Sequence, residues 1–158
     1  MHDHLDRYAS MEEYIDDKRN IYRGQDETNV TVAGDDEWGK SFHAESKGYP
    51  VVKSDKISID SPLSEGQSGG WITPDGTGLA WFLHDYTRRR GDHQGHGEEI
   101  IELVPARLLT PGEHQRQNLL AAALAAYSLG VNAQTIREAL AEYKGIEHRL
   151  EFFHTKAR

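Results

Sequence analysis

Met11, Ile15, Lys18 and Tyr22 recur at spacings of four, three and four along a stretch whose other positions are mostly charged. On a helix of 3.6 residues per turn they share one side, with Tyr14 and Ile21 flanking them, so the stripe predicts an amphipathic helix with a lysine in its apolar face. Ser10 followed by Glu13 matches the capping box that satisfies the first free amides, which puts the helix start at Met11. The pattern then changes. "NVTVAGDDE" reads as a short strand over 29–33 that stops at Gly34 and runs into Asp35 and Asp36, a strand-to-loop step common at functional sites. From Asp35 to Thr110 the chain is polar and rich in glycine, and its short apolar runs "YPVVK", "KISID", "GGWIT", "GLAWFLH" and "EEIIELV" are separated by turn residues such as Pro74-Asp75-Gly76. That alternation predicts an antiparallel β region. Residues 88–99, "RRRGDHQGHGEE", hold no apolar side chain to bury and predict a mobile loop.

The last third reads differently. "NLLAAALAAYSLG" is rich in alanine and leucine, with Leu120, Leu124 and Tyr127 on one face and Gly130 where a glycine ends a helix. Asn132 then stands as an N-cap, and Ile136, Leu140 and Tyr143 recur at i, i+4, i+7 until Gly145 closes the pattern. Together these predict a packed helix pair, followed by an extended segment at "HRLEFFH".

A chain of 158 residues suits one domain with its own core. With 26 acidic against 18 basic side chains the formal net charge is -8, which argues against nucleic acid or an anionic membrane as the partner. Arg88, Arg89 and Arg90 form the sole basic cluster. The absence of cysteine removes disulfides, thiolate zinc sites and a cysteine nucleophile, and is compatible with a reducing compartment such as the cytoplasm. "MHDHLDRY" lacks the apolar run of a secretion signal, and nowhere does the chain approach the ~18 consecutive apolar residues of a membrane span.

Candidate chemistry starts at Lys18. A fully buried ammonium is costly, so one reading packs the aliphatic stem along the core and leaves the amine in water, as the rarity of fully buried lysine favours. The other desolvates the amine, so that the neutral form takes up carbon dioxide and becomes a carbamate, an anionic oxygen ligand suited to magnesium. His4 would then be a second ligand, with Asp3 and Asp6 close by in sequence, although a run such as "HDHLD" is more often solvated surface. No HExxH spacing occurs among the nine histidines.

"DHLDRYASMEEYIDDKRNIY", "GEHQRQNLLAAALAAYSLGV" and "GIEHRLE" follow one another in an order that resembles the Mur ligases, ATP-dependent enzymes that add amino acids to the UDP-linked peptidoglycan precursor. The Asp-His-Leu-Asp-Arg run, the lysine fourteen positions after its histidine and the closing Gly-x-x-His-Arg-x-Glu are most similar to the branch that adds D-glutamate. The resemblance implies an α/β fold: part of a central domain with a three-layer, mostly parallel sheet and helices, a β-rich antiparallel insert and a C-terminal helix pair. Residues 1–151 would be the second half of that ATP-binding domain, and 152–158 the start of a linker to a further domain.

The resemblance also implies roles. Lys18 matches the family's carbamylated lysine and His4 its magnesium-binding histidine, so that both would serve the metal and Lys18 the catalysis. Asn118 matches an asparagine of the His-Asn-x-x-Asn motif near the nucleotide, and His148 and Arg149 match a His-Arg pair that also contacts ATP. Gln115 stands where the family usually has asparagine, and the stretch from Asp35 to Thr110 matches by position between motifs alone. ATP and Mg2+ are the implied cofactors, with the UDP-linked muramoyl peptide and D-glutamate as substrates. No Gly-x-x-Gly-Lys-Thr/Ser phosphate loop occurs in the sequence. The chain is therefore expected to be one half of an active domain whose phosphate loop lies outside it, with an exposed sheet edge that favours a companion segment or self-association. Two alternatives remain: a non-catalytic interaction module, and a related ligase of the folate polyglutamate or cyanophycin type, against which the closing "HRLE" argues.

Overall fold

The computed structural model describes residues 8–83 and 99–145. Ser10 caps the first helix, α1 (Met11–Arg19), accepting a hydrogen bond from the Glu13 amide at 3.2 Å. The Glu13 carboxylate reaches back to the amide of Ala9 at 2.7 Å, one residue before the cap, so the reciprocal bond of a capping box forms in a shifted version. Only Ile15 of α1 is fully buried, and Tyr22 just beyond it is buried as well.

Strand β1 (Val30–Gly34) leads into α2 (Glu37–Glu45), a helix absent from the expectations above, whose apolar face in EWGKSFHAE is the single i, i+4 pair Trp38 and Phe42. Asp36 caps it, accepting from the Gly39 amide at 2.6 Å. The other acid of the pair, Asp35, accepts from Ser54 Oγ at 2.8 Å and from the Asp55 amide at 3.3 Å, tying the end of β1 to the next strand. Both carboxylates of the strand-to-loop step therefore do structural work.

The runs "YPVVK" and "KISID" do not form separate strands: Tyr49–Ile57 is one strand, β2. It is followed by β3 (Ser68–Ile72), β4 (Gly78–Trp81) and β5 (Ile101–Val104). All five strands lie in one sheet in the order β1-β2-β3-β4-β5. The first three pair in parallel, with Val32 opposite Val51 and Val52 opposite Gly69, and the last three pair antiparallel, with Trp71 opposite Leu79. The antiparallel region expected over 35–110 is thus no separate insert. Its strands extend the parallel sheet, because residues 58–67 carry the chain from the end of β2 back to the start of β3 without a helix. The expected loop over 88–99 and the extended segment at "HRLEFFH" lie outside the described residues, apart from Glu99.

The predicted helix pair is present as α3 (Glu113–Ser128) and α4 (Ala133–Glu142). Leu120, Leu124, Tyr127 and Ile136 bury against Val51, Ile72, Phe82 and Leu103 of the sheet, and the Phe82 and Tyr127 rings stack 5.1 Å apart. Gly130 ends α3 with a φ of 101°, a left-handed conformation that costs glycine least. Asn132 caps α4 by accepting from the Thr135 amide at 2.8 Å. Asn132→Ala is expected to lower stability by about 1 kcal/mol, read as a shifted denaturant midpoint with an unchanged slope.

Candidate functional site

Lys18 lies on the face of α1 that carries Ile15 and Tyr22, but its side chain is exposed, as the snorkelling reading expects, and its Nζ sits 5.1 Å from the centroid of the Tyr14 ring. A lysine over an exposed aromatic face gains about 0.5–1 kcal/mol, so the ring gives the ammonium a resting place without burying it. Among the described residues no carboxylate lies within ion-pair distance of this amine. Tyr14 is itself packed edge-on against Tyr8 at 5.3 Å, and the Tyr8 hydroxyl donates to Asp17 at 2.9 Å.

Below the lysine, α1, β1 and the start of α2 enclose a cavity of about 450 Å³. Lys18 and Tyr14 border it from α1, Gly34 from the C-terminal end of β1, and Asp36, Trp38 and Phe42 from α2. Trp38 keeps 40% of its surface exposed at this rim. The C-terminal end of parallel strands is where open α/β sheets place ligands, and this cavity, which runs along β1 to that end, meets one cation, one carboxylate and four aromatic rings, Tyr22 being the fourth.

What fixes α1 over this cavity is the Glu45 carboxylate at the end of α2. It accepts from Arg19 Nε at 2.8 Å and Nη2 at 3.2 Å, from the Tyr22 hydroxyl at 2.6 Å and from the Ser41 hydroxyl at 2.6 Å. Bidentate pairing with a guanidinium is the strongest geometry open to a surface carboxylate. The Arg19 hydrogen bonds, then those from Ser41 and Tyr22, hold Glu45 down at about 2. A carboxyl group whose folded value is depressed stabilises the protein above its ordinary range near 4.5 and loses that contribution as the pH falls toward 2. Glu45→Gln is therefore expected to flatten the acid limb of stability between those values, measured by thermal unfolding at stepped pH.

Asn118 lies on the exposed side of α3 and Gln115 is half-buried. Between them, Gln117 is buried, with both atoms of its amide lacking a hydrogen-bond partner among the described residues. Arg116 locks the start of α3 to the sheet, its Nη1 donating to the Gly76 carbonyl at 2.5 Å and the Pro105 carbonyl at 3.0 Å, its Nη2 to the Ala106 carbonyl at 3.0 Å. This clamp and the Glu45 hub escape sequence reasoning, because each joins side chains to partners far along the chain. His4, His148 and Arg149 lie outside the described residues, as do Asp3 and Asp6, so the structure does not place them beside Lys18 or Asn118. Among the described residues no group of three or more His, Cys, Asp or Glu side chains is arranged to hold a metal. Nor is any described helix long and apolar enough to cross a membrane.

The Mur ligase middle domain matches residues 1–126. Proteins named UDP-N-acetylmuramoylalanine--D-glutamate ligase are similar over nearly the whole chain. The one from Thermoanaerobacter sp. (strain X514) is 29% identical over 153 residues, 95% of this chain and 29% of that protein. Those from Phenylobacterium zucineum and Symbiobacterium thermophilum are 32% and 31% identical over 150 residues, 94% of this chain and 29% of each protein. The chain thus spans under a third of the length of these relatives. With the matched domain covering residues 1–126 and the mixed α/β sheet around it, the chain belongs to the Mur ligase family.

Proposed function

We propose that this chain supplies the later part of the ATP-binding domain of an amide ligase that joins D-glutamate to UDP-N-acetylmuramoyl-L-alanine in peptidoglycan synthesis. Residues 1–151 form that part and 152–158 begin the connection to the domain that receives the amino acid. The observation that carries this reading is the alignment of relatives bearing that ligase's name across 94–95% of the chain. In such a reaction the precursor carboxylate takes the γ-phosphoryl group of ATP, and the D-glutamate amine then displaces phosphate to form the amide.

Lys18 is the residue that this chain commits to the reaction. Its amine is exposed at the rim of the cavity, without the desolvation from which the carbamate reading starts, and has no carboxylate partner among the described residues, so carbon dioxide can reach it. Attack of the neutral amine on carbon dioxide forms an N–C bond and releases a proton, turning a group that repels cations into an oxygen anion. Only in that form does the site suit Mg2+, a hard ion that prefers oxygen ligands, with His4 as the second protein ligand. When bound, the ion neutralises charge on the transferring phosphoryl group. The Glu45 hub positions the helix that carries Lys18, and Asn118, His148 and Arg149 contact the nucleotide.

Calorimetric titration of the chain with ATP and magnesium tests the nucleotide part of this reading. Saturable heat that disappears in Asn118→Ala is the expected outcome. A flat titration favours the second reading, a non-catalytic interaction module, to which the lack of a Gly-x-x-Gly-Lys run in this sequence points.

A further inference from the structure

A second cavity, of about 530 Å³, opens at the other end of the parallel strands. It shares no lining residue with the one below Lys18. Tyr49 and Ser68, the first residues of β2 and β3, form its polar back wall, their hydroxyls 2.9 Å apart, and the Leu83 amide donates to Ser68 Oγ at 2.9 Å. Lys40 and His43 of α2 overhang it, and Val52 and Leu83 give it apolar sides.

Its charge is one-sided. In a chain of net charge -8, among the described residues no carboxylate lines this cavity and Lys40 makes no ion pair. The Nε2 atom of His43 is buried and has no hydrogen-bond partner among the described residues. A buried polar atom without a partner forfeits the hydrogen bond it had in water, a cost that a ligand in contact with it would recover. Burial pushes the imidazole below its ordinary range, against the opposing effect of hydrogen bonding to the Thr31 and Val51 backbone.

We propose that this cavity is a second binding site, for a small organic anion whose charge pairs with Lys40, whose polar group meets His43 and whose apolar body lies between Val52 and Leu83. The two sites share α2 as a wall, which turns Trp38 and Phe42 toward the first cavity and Lys40 and His43 toward the second. An anion seated here is thus in contact with the same helix that borders the candidate catalytic rim.

Side-chain NMR of the isotopically labelled chain tests the site with three probes: benzoate, benzyl alcohol, which keeps the body and lacks the charge, and inorganic phosphate, which keeps the charge and lacks the body. Benzoate is expected to shift the His43 ring and Lys40 Hε signals saturably, with weaker binding of the other two. Its affinity is expected to fall about fivefold in Lys40→Gln, the size of an exposed ion pair, and to stay unchanged in Lys18→Gln. The proposal is overturned if benzoate causes no saturable shift, if benzyl alcohol or phosphate binds as tightly, if Lys40→Gln binds as well as the parent, or if the loss follows Lys18→Gln instead.

Discussion

Lys18→Ala is expected to abolish amide formation by a ligase that contains this chain, by a factor of at least about 10² to 10³, the range seen when one charge-stabilising group is removed from a phosphoryl- or acyl-transfer site. Added bicarbonate is expected to restore nothing, because the variant has no amine for carbon dioxide to modify. The fold should be untouched. Lys18 is exposed, forms no ion pair among the described residues and loses only its contact with the Tyr14 ring, so unfolding curves of variant and parent should nearly superimpose. That combination separates a chemical role from a structural one. An initial-rate assay of phosphate release with D-glutamate reads the first half and thermal unfolding the second; a variant that keeps the parent rate refutes the role of Lys18.

Gly39→Ala is expected to have the largest effect on stability. A Cβ placed there would lie 2.1 Å from the carbonyl oxygen of Gly34, 2.6 Å from its carbon and 2.9 Å from its nitrogen. These are backbone atoms in a paired strand, with Gly34 opposite Lys53 of β2, so no flexible side chain can move aside and α2 must lift away from β1. The lift strains the Asp36 cap, whose bond ends on the amide of Gly39 itself. Overpacking of this kind costs about 3 kcal/mol, which in a chain of this size lowers the unfolding midpoint by roughly 6–12 °C. Gly24→Ala is the control: nothing lies within 4 Å of the position its Cβ would take, and its midpoint should stay with the parent. Because Trp38 and Phe42 ride on α2, the Gly39 variant should also reshape the cavity below Lys18.

The contrast between α1 and α2 shows what the sequence could disclose. In α1 the apolar stripe and the Ser10 cap are local and both are present. The stripe also placed Lys18 beside apolar neighbours, while the direction of its amine depended on the Tyr14 ring one turn back. The α2 helix buries only Gly39 and offers a single apolar pair, Trp38 and Phe42, too short a repeat to tell from a loop; it is held by the Asp36 cap and by its close approach to β1. Asp35 and Asp36 raised the expectation of a site because two acids after a strand look the same whether they face a ligand or cap a helix. Strand direction was hidden for a similar reason. Alternation records which face a residue takes, and β3, with all five residues buried, records not even that, so its parallel pairing to β2 had no local signature. Around the cavity, Lys18 was legible from the local stripe of α1, whereas Glu45, which grips Arg19 from 26 positions away, was visible only once α1 and α2 had been brought together.

The fate of the Lys18 amine is open to direct observation. In buffer containing ¹³C-bicarbonate, the chain is expected to show a carbamate carbon resonance correlated with the Lys18 side chain, growing saturably with bicarbonate and absent from Lys18→Arg. A spectrum without that resonance, in which the Lys18 ε-methylene signals keep their positions at every bicarbonate concentration, would contradict the assignment of Lys18 as the anionic metal ligand of this site.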